Sequence, residues 1–164
     1  MNIRLSYLPV FSVGDFDGNG TMELLIIYKD GTNYGKNLWM WQFSSTGPHY
    51  LLLLESEIYI CDQDVENANV ITADFTGEGA TDILVTTKNH NSGDDESFIY
   101  EIKFLPSPHL VWLDSYNDFP TNRHRIFIGD FNGDHISDVL TYSYGTQNPQ
   151  WEIYCYNGLN SWAA

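Results

Sequence analysis

The residues with the clearest capacity for chemistry are oxygen-bearing side chains that recur at alternate positions in three short segments. Counted from the first aspartate of each segment, they stand at positions 1, 3, 5 and 9. They are Asp15, Asp17, Asn19 and Glu23; Asp74, Thr76, Glu78 and Asp82; and Asp130, Asn132, Asp134 and Asp138. Ca²⁺ takes about six to eight oxygen ligands in flexible geometry, and alternate residues of a tight turn can supply them. The spacing therefore predicts up to three calcium sites.

A backbone carbonyl at position 7 would add a further ligand to each predicted site. These carbonyls belong to Thr21, Ala80 and Ile136. Each segment also holds three carboxylates, and like charges this close raise one another's pKa values and oppose folding unless a cation lies among them. We therefore expect a divalent ion to stabilise all three segments.

Glycine occupies position 4 of all three segments and position 6 of the first two. These glycines are Gly18, Gly20, Gly77, Gly79 and Gly133. They permit backbone conformations that are strained for residues with a Cβ atom. The third segment has His135 at position 6, where a left-handed backbone would cost about 1 kcal/mol relative to glycine. The sequence therefore supports the third site least.

An EF-hand shares the alternating oxygens and the central glycine of these segments. It also demands a bidentate glutamate at position 12 and a helix on each side. Position 12 here is Ile26, Val85 or Thr141, and the flanking sequence is strand-like. The EF-hand interpretation is therefore rejected.

The three segments mark a repeat, because their first aspartates, at 15, 74 and 130, are 59 and 56 residues apart. The surrounding sequence shows alternating apolar positions and no persistent helical periodicity. Four short antiparallel strands in a unit of this length are typical of a β-propeller blade. The predicted fold is all-β, with about three four-stranded blades that carry calcium-binding loops, as an open arc or a fragment of a larger propeller.

We expect one domain over residues 1–164, with repeats at about 9–66, 67–122 and 123–164. Four strands are predicted in each of the first two repeats and three in the last, with residues 1–8 as an outer strand. Propellers have roughly four to eight blades, so three blades do not close a ring. Self-association that completes a propeller is therefore one expected partnership. The phenylalanines at position 2, Phe16, Phe75 and Phe131, are predicted to pack between neighbouring blades.

The pattern Gly-Asp-Phe-Asn-Gly-Asp, which begins at Gly129, and its two counterparts resemble the FG-GAP or VCBS repeat of integrin α-subunit β-propellers. This repeat also occurs in many secreted bacterial proteins. The resemblance covers all three units and implies a calcium ion in the loop between the first two strands of each blade. It also implies an extracellular or cell-surface location, although no signal peptide is visible in the sequence. His135, Glu23 and Thr76 depart from the family pattern.

The net negative charge of the chain disfavours two classes of partner, nucleic acids and anionic membranes. Seven Lys and Arg residues against 22 Asp and Glu residues give a formal charge of −15, which repels phosphate backbones and anionic membrane surfaces. The longest apolar run, 51–54, is far below the roughly 20 residues of a membrane span. We expect neither nucleic-acid binding nor membrane insertion.

Cys61 and Cys155 show no metal or redox spacing, and the sequence leaves their pairing open.

The sequence contains no recognisable catalytic motif, and its histidines lack the spacing of a zinc site. We therefore expect a non-catalytic, calcium-stabilised module for recognition of a protein or carbohydrate, or for adhesion. The alternative is a structural propeller segment of a larger secreted toxin shell or polysaccharide-processing protein. Five tryptophans could line a sugar-binding face, although strand and core roles compete with that interpretation.

Overall fold

The computed structural model of the chain is all-β in the part that it describes. The described residues are 10–29, 36–42, 50–58, 69–88, 95–104, 109–117, 124–143, 151–156 and 162–163. No helix among them is long and apolar enough to cross a membrane.

The described residues form twelve strands in three antiparallel sheets of four, each ordered as in the sequence. Unit 1 comprises β1 (Val10–Gly14), β2 (Glu23–Lys29), β3 (Lys36–Gln42) and β4 (Tyr50–Ile58). Unit 2 comprises β5 (Asn69–Ala73), β6 (Asp82–Lys88), β7 (Asp95–Lys103) and β8 (His109–Asn117). Unit 3 comprises β9 (His124–Gly129), β10 (Asp138–Ser143), β11 (Trp151–Tyr156) and β12 (Trp162–Ala163).

Each acidic segment is the loop between the first two strands of its unit. The strand pairing ends at Gly14 opposite Glu23, Ala73 opposite Asp82, and Gly129 opposite Asp138. Position 9 is therefore the first residue of the second strand, and positions 1 to 8 span the turn. This placement confirms the predicted order of strand, acidic loop and strand.

The prediction of only three strands in the third repeat is wrong. β12 pairs with β11, with Cys155 opposite Ala163 and Tyr156 opposite Trp162. A two-residue strand is too short to show alternation in the sequence, which is why it was missed. The outer strand predicted within residues 1–8 lies outside the described residues.

The hydrophobic core lies between the sheets, because alternate residues of a strand point to opposite faces. We call the face of each sheet that is turned toward the next unit its forward face, and the opposite one its rear face. The first core cluster joins the forward face of unit 1 to the rear face of unit 2 and consists of Phe16, Leu25, Ile83, Val85, Tyr100 and Ile102. The second joins units 2 and 3 in the same way and consists of Phe75, Leu84, Ile99, Val139 and Tyr154.

The predicted role of the position 2 phenylalanines is confirmed for two of the three. Phe16 and Phe75 are buried between successive sheets, and each contributes roughly 1.5–3 kcal/mol of hydrophobic stabilisation. Phe131 instead remains 43% exposed, since no described residues form a further sheet against it.

Units 1 and 2 are in close contact beside their loops. The hydroxyl groups of Ser12 and Thr72 are 2.7 Å apart, and Thr72 also donates to the carbonyl oxygen of Val13 at 3.1 Å. A Cβ atom added to Gly14 would lie only 2.5 Å from Cγ2 of Thr81. Glycine at this position therefore permits the close approach of the two sheets.

Candidate metal centre

Position 9 places a buried carboxylate beneath each loop. Glu23, Asp82 and Asp138 are at most 1% exposed, because the second strand enters the core at this residue. In all three loops one carboxylate oxygen accepts the backbone N–H of the position 2 phenylalanine at 2.9 Å. The position 9 side chain is thus held against the turn rather than released to solvent.

The second oxygen of this carboxylate has no hydrogen-bond donor in loops 1 and 3. Among the described residues, Oε1 of Glu23 and Oδ1 of Asp138 are buried polar atoms without a hydrogen bond. Leaving such an atom unpaired costs about 1–3 kcal/mol, and more when the group is charged. A cation or a proton at this oxygen would remove that cost.

Loop 1 brings three carboxylates together at a distance suited to one ion. Oxygens of Asp15, Asp17 and Glu23 lie within 4.8 Å of one another, and this is the only such acidic trio found among the described residues. Because calcium–oxygen distances are about 2.3–2.6 Å, two ligands of one ion are separated by at most about 5 Å. The trio could therefore hold a single metal ion.

The buried and acidic surroundings of Glu23 change the pKa of its carboxyl group. Burial raises the pKa of Glu23 from 4.5 to about 6. The N–H of Phe16 opposes the rise, whereas the negative charges of Asp17 and Asp15 add to it. Holding the carboxylate ionised at neutral pH is thus unfavourable for the folded chain unless a positive charge lies nearby.

The position 1 aspartate shapes each loop through hydrogen bonds to its backbone. Asp15 accepts the N–H of Asn19 at 2.9 Å and that of Gly20 at 2.7 Å. Asp74 likewise accepts the N–H groups of Gly77 and Gly79. Asp130 accepts those of Gly133, Asp134 and His135. A carboxylate has further lone pairs, so these bonds leave it able to ligate a metal.

Position 3 and position 5 side chains contact one another in loops 1 and 3. The amide group of Asn19 donates to Asp17 at 2.7 Å, and that of Asn132 donates to Asp134 at 2.9 Å. Both loops therefore bring the predicted ligands of positions 3 and 5 to the same part of the turn. Thr21 is exposed, and Ala80 and Ile136 are partly buried.

His135 adopts the left-handed backbone conformation that glycine occupies at position 6 of the other two loops. Its φ is 70°, close to the 84° of Gly20 and the 85° of Gly79. Its imidazole is 97% exposed, and its N–H donates to Oδ2 of Asp130 at 2.9 Å. This bond, followed by those from Gly133 and Asp134, lowers the pKa of Asp130. Loop 3 therefore has the turn geometry of the other two.

Loop 2 differs in how its buried carboxylate is satisfied. Oδ2 of Asp82 accepts the N–H groups of Phe75 and Thr76 at 2.9 Å, just as Oδ2 of Asp138 accepts those of Phe131 and Asn132. The difference is the hydroxyl group of Thr76, which also bonds to the Asp82 carboxylate. Burial raises the pKa of Asp82 to about 7, and the hydroxyl group of Thr76 opposes this rise by hydrogen bonding to the carboxylate. Protein donors thus replace part of what a cation would supply.

Lys103, which belongs to no motif of the sequence, also contacts loop 2. Nζ of Lys103 lies 2.7 Å from Glu101 and 3.5 Å from Glu78, the position 5 side chain. Lys103 is opposite the start of β8 and 25 residues beyond Glu78, so only the folded sheet reveals the contact. Its positive charge competes with a metal ion for Glu78.

Cys155 is a second residue near a loop that sequence reasoning missed. It is a half-buried free thiol next to Asp138, and burial, followed by this carboxylate, raises the pKa of the thiol. Cys61, whose pairing with Cys155 the sequence left open, lies outside the described residues.

Successive loops are joined by equivalent backbone hydrogen bonds. Thr81, at position 8 of loop 2, donates its N–H to the carbonyl oxygen of Asp15 at 2.7 Å. Ser137, at position 8 of loop 3, donates to Asp74 at 2.8 Å. The three loops therefore form a row along one edge of the sheets.

No protein-family model matches the sequence, and neither does any curated protein. Membership of the FG-GAP family accordingly stays a prediction that rests on the three loops.

Proposed function

We propose that the chain is a calcium-stabilised, non-catalytic binding module whose three sheets are blades of a β-propeller. The observation that carries the proposal is the buried Glu23 carboxylate, which lies within 4.8 Å of Asp15 and Asp17 and has one unpaired oxygen. An acidic trio in solvent gains little from an ion, whereas a trio with a buried and unpaired member is stabilised by one.

The chemistry of the ligands favours calcium over other metals. The candidate side chains offer only carboxylate, amide and hydroxyl oxygens, whereas zinc prefers nitrogen and sulfur ligands. Magnesium demands a near-octahedral shell and retains several waters. A flexible turn that supplies many oxygens suits the larger and less demanding calcium ion.

We infer different affinities for the three sites. Loop 1 has the compact acidic trio, and loop 3 has an unpaired oxygen on Asp138 and the same turn geometry. Loop 2 bonds the Asp82 carboxylate to the hydroxyl group of Thr76 and pairs Glu78 with Lys103. Loop 1 should therefore bind most tightly and loop 2 most weakly.

Calcium addition and removal test the proposal directly. An ion that binds only the folded state at 100 times its Kd stabilises it by about 2.7 kcal/mol. For a chain of this size, that raises Tm by roughly 5–11 °C. We expect calcium to raise Tm relative to EDTA and magnesium to raise it much less. Equal Tm in calcium and EDTA would remove the basis of the proposal.

The ligand of the module is proposed to be a protein or a carbohydrate outside the cell. Trp112 on β8 is 59% exposed and could stack on an apolar ligand face. A glycan array and a screen of extracellular proteins, each run with and without calcium, would test this role.

A structural role within a larger secreted assembly is the second candidate. It is favoured by the apolar residues left exposed on the outer faces of units 1 and 3. Large exposed apolar patches mark interaction surfaces. A chain that joins other blades but binds no glycan or extracellular protein in these screens would have this role.

A further inference from the structure

Among the described residues, two sheet faces expose apolar side chains with no other sheet packed on them, one a forward face and the other a rear face. The forward face of unit 3 exposes Phe127, Phe131, Trp151 and Ile153, which are 43–60% accessible. The rear face of unit 1 exposes Phe11 and Val13, and Met22 lies beside it at the loop; these three are 56–63% accessible. Within the chain, forward and rear faces pack against each other twice.

The exposed positions of unit 3 correspond to buried positions of unit 2. Ile153 lies opposite Leu140 as Ile99 lies opposite Leu84, and Ile99 is only 1% exposed. Trp151 occupies the position of Ser97, which is also 1% exposed. The forward face of unit 2 is covered by unit 3. Among the described residues, no further sheet covers the forward face of unit 3 in the same way.

The rear face of unit 1 shows the converse relation. Phe11 is equivalent to Val70, which packs against the first core cluster. Val13 is equivalent to Thr72, which bonds to Ser12 of the preceding sheet. The exposed side chains of unit 1 thus occupy positions whose equivalents in unit 2 contact the preceding sheet.

We propose that a second copy of this chain covers these faces, with the forward face of unit 3 packed on the rear face of unit 1 of that copy. The two internal contacts specify how the loops would meet. Met22 stands at position 8, so its N–H would donate to the carbonyl oxygen of Asp130, as Thr81 and Ser137 do to their predecessors. Thr21 would approach Gly133, whose Cβ position now has no atom within 4 Å.

This contact is heterologous, since it joins two different surfaces, and two copies can satisfy both ends by closing a ring. Six sheets would then surround one axis, within the roughly four to eight of known propellers. The open depression lined by Arg125, Phe127, Tyr142 and Trp151 lies on the forward face and would be filled by the copy. The inference does not rest on calcium binding, because apolar faces carry the contact.

Sedimentation velocity on the whole chain tests the proposal. The expected species has twice the 18.8 kDa mass of one chain. Val13→Glu on the rear face and Ile153→Glu on the forward face should each give a monomer. Trp112→Glu is the matched control, because Trp112 is 59% exposed but belongs to neither uncovered face, and it should leave the pair intact.

Mixing the two interface variants distinguishes a head-to-tail contact from a symmetric one. The Val13→Glu chain keeps a normal forward face and the Ile153→Glu chain a normal rear face, so an equimolar mixture should regain a two-chain species. If circular dichroism shows that a glutamate variant is unfolded, Val13→Ser and Ile153→Ser replace the pair. A wild-type chain that stays monomeric at high micromolar concentration, or a mixture that stays monomeric, would overturn the proposal.

Discussion

Replacing Glu23 with glutamine should change stability in opposite directions with and without calcium. The amide oxygen of glutamine can still accept the N–H of Phe16, so the loop keeps its shape. The substitution removes a buried negative charge that is unfavourable in the calcium-free protein. It also removes a charged ligand that the calcium-bound protein needs.

The structure gives a magnitude for each effect. The pKa of Glu23 rises from 4.5 to about 6, and at about 1.4 kcal/mol per unit the ionised form costs on the order of 2 kcal/mol in the folded chain. Glutamine avoids this cost, so Glu23→Gln should stabilise the protein in EDTA by about 1–2 kcal/mol. A ten- to hundredfold loss of calcium affinity would destabilise the saturated protein by about 1.4–2.8 kcal/mol.

Thermal unfolding at neutral pH in EDTA and in millimolar calcium measures both effects. Glu152→Gln is the control, since it removes one exposed negative charge outside the loops. We expect Tm of the Glu23→Gln variant to lie above that of the wild type in EDTA and below it in calcium. A shift of the same sign in both conditions would show that Glu23 has only a structural role.

Three further predictions follow from the loops and the contacts between them. Lys103→Met should raise the calcium affinity of loop 2 by up to about fivefold, because an exposed ion pair with Glu78 is worth at most about 1 kcal/mol; unchanged affinity in a calcium titration would contradict this. Gly14→Ala should lower the free energy of unfolding by about 1–3 kcal/mol in denaturant titrations, because its Cβ would clash with Thr81. In EDTA, Asp82 has a pKa of about 7 in the folded state against its usual 3.8, so its favourable contribution is present below pH 3.8 and is lost as the pH rises through 7. Asp82→Asn should flatten this part of the pH–stability profile, and an unaltered slope would refute the assignment.

Much of the fold was accessible from the sequence because each repeat carries several independent signals in the same register. Each acidic loop lies between two strands, as the sequence predicts, and two of the three phenylalanines at position 2, Phe16 and Phe75, are buried. The strand Trp162–Ala163 was not predicted, since two residues carry no periodicity. Its existence depends on pairing with β11, which is a tertiary property.

The candidate ligands were also visible in the sequence, but the differences between the loops were not. Which carboxylate oxygen remains unpaired depends on burial and on the positions of nearby N–H groups. Lys103 reaches Glu78 only because β7 lies beside loop 2 in the folded unit. The left-handed backbone of His135 likewise depends on the turn around it, including the bond from its N–H to Asp130.

Thr81 and Ser137 donate their N–H groups to the carbonyl oxygens of Asp15 and Asp74, so the first aspartate of a loop makes contacts within its own loop and with the next one. Its side chain organises its own turn, while its main-chain carbonyl group accepts a hydrogen bond from the loop of the following sheet. Opening of one loop therefore weakens the hydrogen bond to the next loop, and ordering of one loop strengthens it. Stability in this chain is consequently shared between adjacent repeats, as in a row of coupled elements, and each repeat depends on the order of its predecessor.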